Sequence, residues 1–246
     1  DNTKARGDSG SQFGIGKELA QQFQNQGEKS ILVSSGEEYE QHNEQEFSVC
    51  PTNSQDFCQL IQNLDNYQLQ GIVYLWSLDG TPVENLNSEL LEDDLENYCR
   101  SVLYLIQALL GGRQEARGYR QEKEDKIFHA PIYLVTQDAQ PLESNTISGL
   151  TQSTLWGIGK VAAQVTDFQI KNLDLDSQIT ATAQAQAIFS ELLSEDKEQQ
   201  IAFRGDKRYV ARLARYQNLV QKQPLQLTIS ERGTLDNLEF LPVVRM

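Results

Sequence analysis

Two arrangements in this sequence have the residue types for proton transfer or phosphate binding. Tyr119-Arg-Gln-Glu-Lys123 sets a phenol four residues before an ammonium. A lysine so placed lowers a tyrosine's pKa and lets the phenol hand its proton to a carbonyl. Gly10-Ser-Gln-Phe-Gly14-Ile-Gly16 precedes a helix-like stretch. Such glycines let a backbone turn approach a pyrophosphate that rests on the helix N-terminus. About twenty residues on, Ser34-Ser35-Gly36-Glu37-Glu38 ends a strand-like run, and an acidic side chain there would accept the ribose hydroxyls of NAD and repel the 2′-phosphate of NADP.

Position weighs against both. The G-x-x-x-G-x-G opening is that of short-chain dehydrogenases, in which a strand feeds the glycine turn, but Asp1–Ser9 is charged and polar. Tyr119 and Lys123 fall in a charged run ahead of a strand, where a reductase does not carry its catalytic pair. The helix that should carry it reads Trp156-Gly-Ile-Gly-Lys160. An indole N–H donates a hydrogen bond but is no acid near neutral pH, and losing the general acid forfeits roughly 10²–10⁴-fold in rate. Ser144 and Ser148, in a loop with Pro141 and Asn145, read as turn residues. No catalytic, cofactor-binding or metal-binding residue is therefore assigned, and no cofactor is expected. An NAD-dependent reductase built on Gly10–Gly16 stands as the alternative.

Histidine and cysteine remove other chemistries. His42 lies in a polar stretch and His129 just before a strand, which leaves no hydrolytic triad or histidine-rich metal site. Cys50, Cys58 and Cys99 form no C-x-x-C pair and read as buried thiols of a reducing compartment.

The elements that would position these residues alternate. Apolar, β-branched runs at 30–34, 47–50, 71–78, 131–137 and 168–176 predict strands, several of them covered on both faces. Helices are predicted at 14–26, 53–65, 88–111, 150–164 and 181–195. In the third of these, Leu90, Leu91, Leu95, Val102, Leu105, Ile106, Leu109 and Leu110 recur at three- and four-residue steps, and Gly111-Gly112 is expected to stop it. Strand–helix alternation implies right-handed crossovers and an α/β fold: a truncated Rossmann-like, doubly wound, mainly parallel sheet. Residues 113–126 read as a solvated charged run. Residues 216–224 read as a linker, dividing a domain over 1–215 from a short β-rich segment over 225–246.

The 246 residues, 39% hydrophobic and 23% charged, suffice for one large domain, and the opening without Met or leader suggests a piece of something longer. A net charge of −14 argues against nucleic-acid or anionic-membrane partners, which need basic surface. No apolar run approaches the ~18 residues of a membrane helix. A cytoplasmic location follows as an expectation.

LWGIGKVAAQ (155–164), NLDLD (172–176), QQIAFRGDKRYVARLAR (199–215), GIVYLWSLDG (71–80) and SVLYLIQALLGG (101–112) together resemble the structural, non-catalytic half of a modular polyketide synthase ketoreductase. The resemblance runs over most of 14–215. The tail LTISERGTLDNLEFLPV resembles the opening strands of an enoylreductase. It implies a catalytically silent scaffold whose partners are the catalytic NADPH-dependent ketoreductase half and the enoylreductase of the same polypeptide, and the module's acyl carrier protein. Tyr209, Val210 and Leu213, alternating with Arg208 and Arg212, are expected to form a strand near the docking face.

Overall fold

The computed structural model describes residues 11–114, 130–142, 147–213, 225–229 and 238–242. The chain divides into two compact units, Asp1–Ala211 and Arg212–Met246. The expected linker, 216–224, lies outside the described residues, as do Gly10, the Tyr119–Lys123 pair, His129, Ser144 and Asn145.

The first unit is an α/β structure with a Rossmann-like arrangement. It opens with helix α1 (Ser11–Asn25), followed by strands β1 (Leu32–Ser35), β2 (Glu40–Gln41) and β3 (Glu46–Val49), helix α2 (Ser54–Leu64) and strand β4 (Ile72–Tyr74). A helical run from Ser88 to Gln114 comes next, made of α3 (Ser88–Leu95), a π-turn over Glu96–Arg100, and α4 (Ser101–Gln114). After it come β5 (Ile132–Gln137), α5 (Thr154–Val165), β6 (Ile170–Leu175), α6 (Ala181–Leu192), β7 (Gln200–Arg204) and β8 (Lys207–Val210). The five runs predicted as strands each contain one, with bounds shifted or shortened.

Pairing falls into two sheets. One has the order β4-β5-β6-β7-β8, parallel except for the antiparallel β7–β8 hairpin, and the other has the order β1-β3-β2 with β1 and β3 parallel. Alternation along β5 shows how the layers form. Ile132 and Leu134 point into one core with Phe57, Leu60, Val102 and Leu155, while Tyr133 and Val135 point into another with Ile15, Leu19, Ile188 and Phe189. Helices α2, α4 and α5 thus pack on one face and α1 and α6 on the other, where Phe23 meets Phe189 edge-on at 4.9 Å.

Four expectations are corrected. Gly14 and Gly16 lie inside α1 and not in a glycine turn, because Ile15, Leu19 and Phe23 fall on one side of a helix and are drawn into the core. Strand 71–78 stops at Tyr74: Trp76–Asp79 turns into a 3₁₀ helix, and Ser77 Oγ donates to Val135 O. Gly111 and Gly112 do not end the long helix, which continues to Gln114. The cysteines are free but partly exposed, not sealed.

The helical run is interrupted where it crosses β4. Ser101 Oγ donates to the carbonyls of Asn97 and Tyr98, and Tyr74 OH reaches Tyr98 O at 3.2 Å and Ser101 Oγ at 2.7 Å. Carbonyls loosened by the π-turn are thereby satisfied by side chains. Burial pushes the Tyr74 phenol far above its ordinary pKa, so it stays neutral as the junction requires.

The second unit contributes an antiparallel hairpin, β9 (Leu225–Ile229) with β10 (Leu238–Pro242), in the register Leu238↔Ile229. No helix among the described residues is long and apolar enough to cross a membrane.

Candidate functional site

In open α/β sheets, ligands bind in the crevice beyond the carboxyl ends of the strands. Here that place is formed by β5 running out through Asp138, by Asp174 and Leu175 of β6 with Asp176 just beyond it, and by Arg204 of β7. Asp138 has φ +48°, a left-handed conformation that side chains other than glycine seldom adopt. The following turn needs Gly149, because a Cβ there would run into Gln137 O.

Side chains of the protein itself fill the crevice. Asp174 is fully buried. Its Oδ1 accepts from Thr136 Oγ1 (2.6 Å) and Ala139 N (2.9 Å), and its Oδ2 accepts from Gln140 N (3.1 Å) and Arg204 Nη2 (2.6 Å). Arg204 also donates to the carbonyls of Leu175 (3.2 Å), Phe203 (2.7 Å) and Gln140 (2.9 Å), and its Nε lies 3.8 Å from Asp138 Oδ1. Asp176 Oδ2 accepts from Gly205 N at 2.7 Å. A buried carboxylate is tolerable only when paired and hydrogen-bonded. This one accepts four hydrogen bonds, so its own acceptor positions are taken, while Arg204 Nε has no hydrogen-bond partner among the described residues.

Trp156 belongs to the same network. Its Nε1 donates to Thr136 Oγ1 at 3.0 Å, and that hydroxyl in turn donates a hydrogen bond to Asp174 Oδ1. Lys160, four residues on, is exposed while Trp156 is buried, so the two do not converge. Ser148 Oγ donates to Asp138 Oδ2 at 3.3 Å. Pro141 is exposed and takes no part. Gly159 has a packing role: a Cβ there would collide with the Asn172 side chain on β6, whereas Gly157 faces open space.

The remaining sequence candidates lie elsewhere. Glu37 and Glu38 are exposed at the end of β1. His42 sits at the edge, 3.2 Å from Ser48 Oγ and 3.6 Å from Glu40. Cys99 Sγ meets Thr154 Oγ1 at 3.2 Å, and burial raises its thiol pKa, which suits an inert thiol. No cluster of three metal-ligating side chains occurs among the described residues.

A second charged cluster, unread in the sequence, joins β6, α6 and β8. Lys171 Nζ lies 3.3 Å from Glu191 Oε1, Arg208 Nε lies 2.7 Å from Glu191 Oε2, and Arg208 Nη2 lies 2.6 Å from Asp196 Oδ2. The hydrogen bond to Glu191 raises the Arg208 pKa. Desolvation pushes Asp196 upward, but the Glu198 N–H and the charges of Arg208 and Lys171 leave it below its ordinary value. A depression of about 220 Å³ beside the cluster is lined by Ser190, Ser194 and Phe203 among others. Two cations face two carboxylates there, so no net charge is left to attract a ligand.

A family model described as beta-ketoacyl synthase-like, N-terminal, matches residues 13–154, more than half of the chain. The chain belongs to that family. Its fold is shared with ketoreductases and short-chain dehydrogenases. A keto acid-selecting NRPS module comprising adenylation, ketoreductase and pseudo-Asub domains aligns with TM-score 0.69 at 20% identity, covering 87% of this chain and 17% of that one. A C2-type ketoreductase from a modular polyketide synthase aligns with TM-score 0.60 at 20% identity, covering 85% and 39%. A short-chain dehydrogenase from Mycobacterium avium aligns with TM-score 0.55 at 12% identity, covering 87% and 86%. The chain therefore spans well under half of the ketoreductase-bearing chains it matches. No curated protein matches it.

Proposed function

We propose that this chain is the catalytically silent half of a ketoreductase in a polyketide synthase module. On this reading it docks on and steadies the catalytic, NADPH-dependent half, which reduces β-ketoacyl chains held on an acyl carrier protein. The β9–β10 hairpin is then the start of an adjoining enoylreductase. The observation that carries the proposal is the Asp174–Arg204 network at the strand ends, where the protein's own groups take up every acceptor position of the carboxylate. Trp156, held by Thr136, supplies no proton in place of a tyrosine.

A scaffold needs a docking face, and exposed apolar side chains point to it. Val210 of β8 packs into the core and Arg208 is held by Glu191, so β8 is partly committed inward; Tyr209 and Val210 belong to β8, whereas Leu213 lies beyond its end. Leu103 on α4 and Val161 and Val165 on α5 are exposed, and these apolar side chains offer the better docking face.

Titration of the chain with NADH and NADPH to millimolar concentration should show no saturable binding, and mixing with the catalytic half should raise that half's melting temperature and turnover. Val161→Glu with Val165→Glu should abolish the second effect without unfolding the chain. Micromolar saturation with either nucleotide, or a catalytic half indifferent to this chain, overturns the proposal.

A further inference from the structure

The charged cluster of β6, α6 and β8 lies away from the crevice at the carboxyl ends of the strands. Lys171 is the second residue of β6, and Asp196 lies in the loop that leads into β7, so the cluster stands at the amino ends of these strands. Its neutrality is built from two unlike parts. Glu191 is a fixed counter-ion on α6, with its side chain only 1% exposed and both oxygens held. Its Oε1 accepts from Lys171 Nζ (3.3 Å) and Arg208 Nη2 (3.2 Å), and its Oε2 accepts from Arg208 Nε (2.7 Å). Lys171 is confined too, with Nζ 5.7 Å from the centre of the Tyr133 ring. One buried carboxylate thus faces two cations, which leaves one positive charge in excess.

Asp196 balances that charge from outside. Residues 194–198 form neither helix nor strand. The Asp196 side chain is 38% exposed; its Oδ2 accepts from Arg208 Nη2 at 2.6 Å, and its Oδ1 stands 3.9 Å from Lys171 Nζ. Two further bonds are local turns, from Glu198 N to Asp196 Oδ1 and from Asp196 N to Ser194 Oγ. Lys171 Nζ also reaches the Asp196 carbonyl at 3.3 Å. Exposed ion pairs contribute little to stability, because water and salt compete for both partners. Breaking the buried Glu191 pair would strand charge in the interior, whereas lifting Asp196 exposes it only to solvent. Of the two carboxylates, Asp196 is the replaceable one.

Space for a replacement adjoins it. The depression of about 220 Å³ is lined by Asp196 and Arg208 together, and by Phe203 with Ser190 and Ser194. A guanidinium presents its donors in a plane that matches a carboxylate. An aromatic wall beside it suits an apolar body attached to that carboxylate, which a bare inorganic ion would leave unused.

We propose that Arg208 and Lys171 form a carboxylate-binding site, and that Asp196 is a built-in stand-in that occupies it. A small monocarboxylate with an apolar body would take the place of Asp196 on Arg208 Nη2, and the strap of residues 194–198 would lift away. One carboxylate is exchanged for another, so the cluster stays neutral throughout. This inference does not depend on the scaffold reading.

Sodium butyrate is the probe, with butyramide as the uncharged control and sodium chloride keeping ionic strength constant. Binding to the full chain is followed in proton–nitrogen correlation spectra, at the Arg208 side-chain Nε–H and the amides of residues 194–198. In the unmodified chain these signals should shift together along one saturation curve. Asp196→Asn removes the competing charge and should tighten butyrate binding by roughly tenfold or more. Adding Arg208→Lys keeps a cation beside Glu191 but loses the planar fork, and should undo most of that gain. No saturable binding to the Asp196→Asn chain, equal affinity in that chain and the parent, shifts that spare Arg208, or an equal response to butyramide would each overturn the proposal. Phosphate binding as tightly as butyrate would overturn it as well, by making the cluster an unselective ion site.

Discussion

The carboxyl ends of β5–β7 and the interval between β1 and β4 are opposite solutions to the same requirement. At the strand ends, Asp174 and Arg204 bring charge into the interior, and four hydrogen bonds satisfy the carboxylate while Arg204 Nε has none. Between β1 and β4 the side chains are apolar, but the backbone amides of Val33 and Val73 have no partner among the described residues. In the first region the carboxylate's acceptor positions are all used and Arg204 Nε alone of the pair's polar atoms is not; in the second, main-chain groups are left over. Sequence hydrophobicity alone would rank them the other way, with the charged region as the one left unsatisfied.

The largest effect that would break this comparison comes from Arg204. Arg204→Ala leaves Asp174 buried without its cation and should cost about 3–5 kcal/mol in chemical denaturation. Arg204→Met with Asp174→Leu should lie closer to the parent than Arg204→Ala does. A smaller contrast concerns the glycines of α5. Gly159→Ala presses a methyl into Asn172 and should cost about 1–3 kcal/mol, while Gly157→Ala, facing open space, should gain up to about 1 kcal/mol. Trp156→Phe removes one hydrogen bond to Thr136 and should cost about 1 kcal/mol by the same measurement, and Trp156→Tyr should bring no keto reduction.

The smallest effect is electrostatic. Asp196 has a folded pKa below its unfolded value. Its contribution is thus present above the unfolded carboxylate range, near pH 4, and is lost as pH falls through the folded value. Asp196→Asn should be slightly less stable than the parent at neutral pH, and the two should converge in acid unfolding curves below about pH 4.

Layer and element order were legible because they follow from local patterns. The strand-like runs and the 3.6-residue spacing of Leu90 through Leu110 each predict an element that is present. The errors arise where tertiary packing outweighs a local signal. Two glycines cost a helix roughly 1 kcal/mol each, yet Gly111 and Gly112 are helical in a segment whose Leu105, Ile106 and Leu109 are buried. Gly14 and Gly16 have the spacing of a phosphate loop, but the apolar step from Ile15 to Leu19 to Phe23 decides for helix. The Asp174–Arg204 pair was out of reach for a different reason. Its members are thirty residues apart and meet only because β6 and β7 pair in the register Asp174↔Ala202. The one hint was the acid inside NLDLD, a charge in a run otherwise fit for burial.

The π-turn at Glu96–Arg100 also acts as a phase shifter. Each α-helical residue advances the helix by about 100°, and a π-turn holds one residue more than an α-turn does. The extra residue is taken up in one wide turn, so α4 leaves it facing as it would leave a regular helix one residue shorter. Forcing Glu96–Arg100 into regular α-helical turns without deleting a residue would swing Val102, Leu105 and Leu109 by about 100° from the core. The irregular turn is what keeps both halves of the helix facing inward.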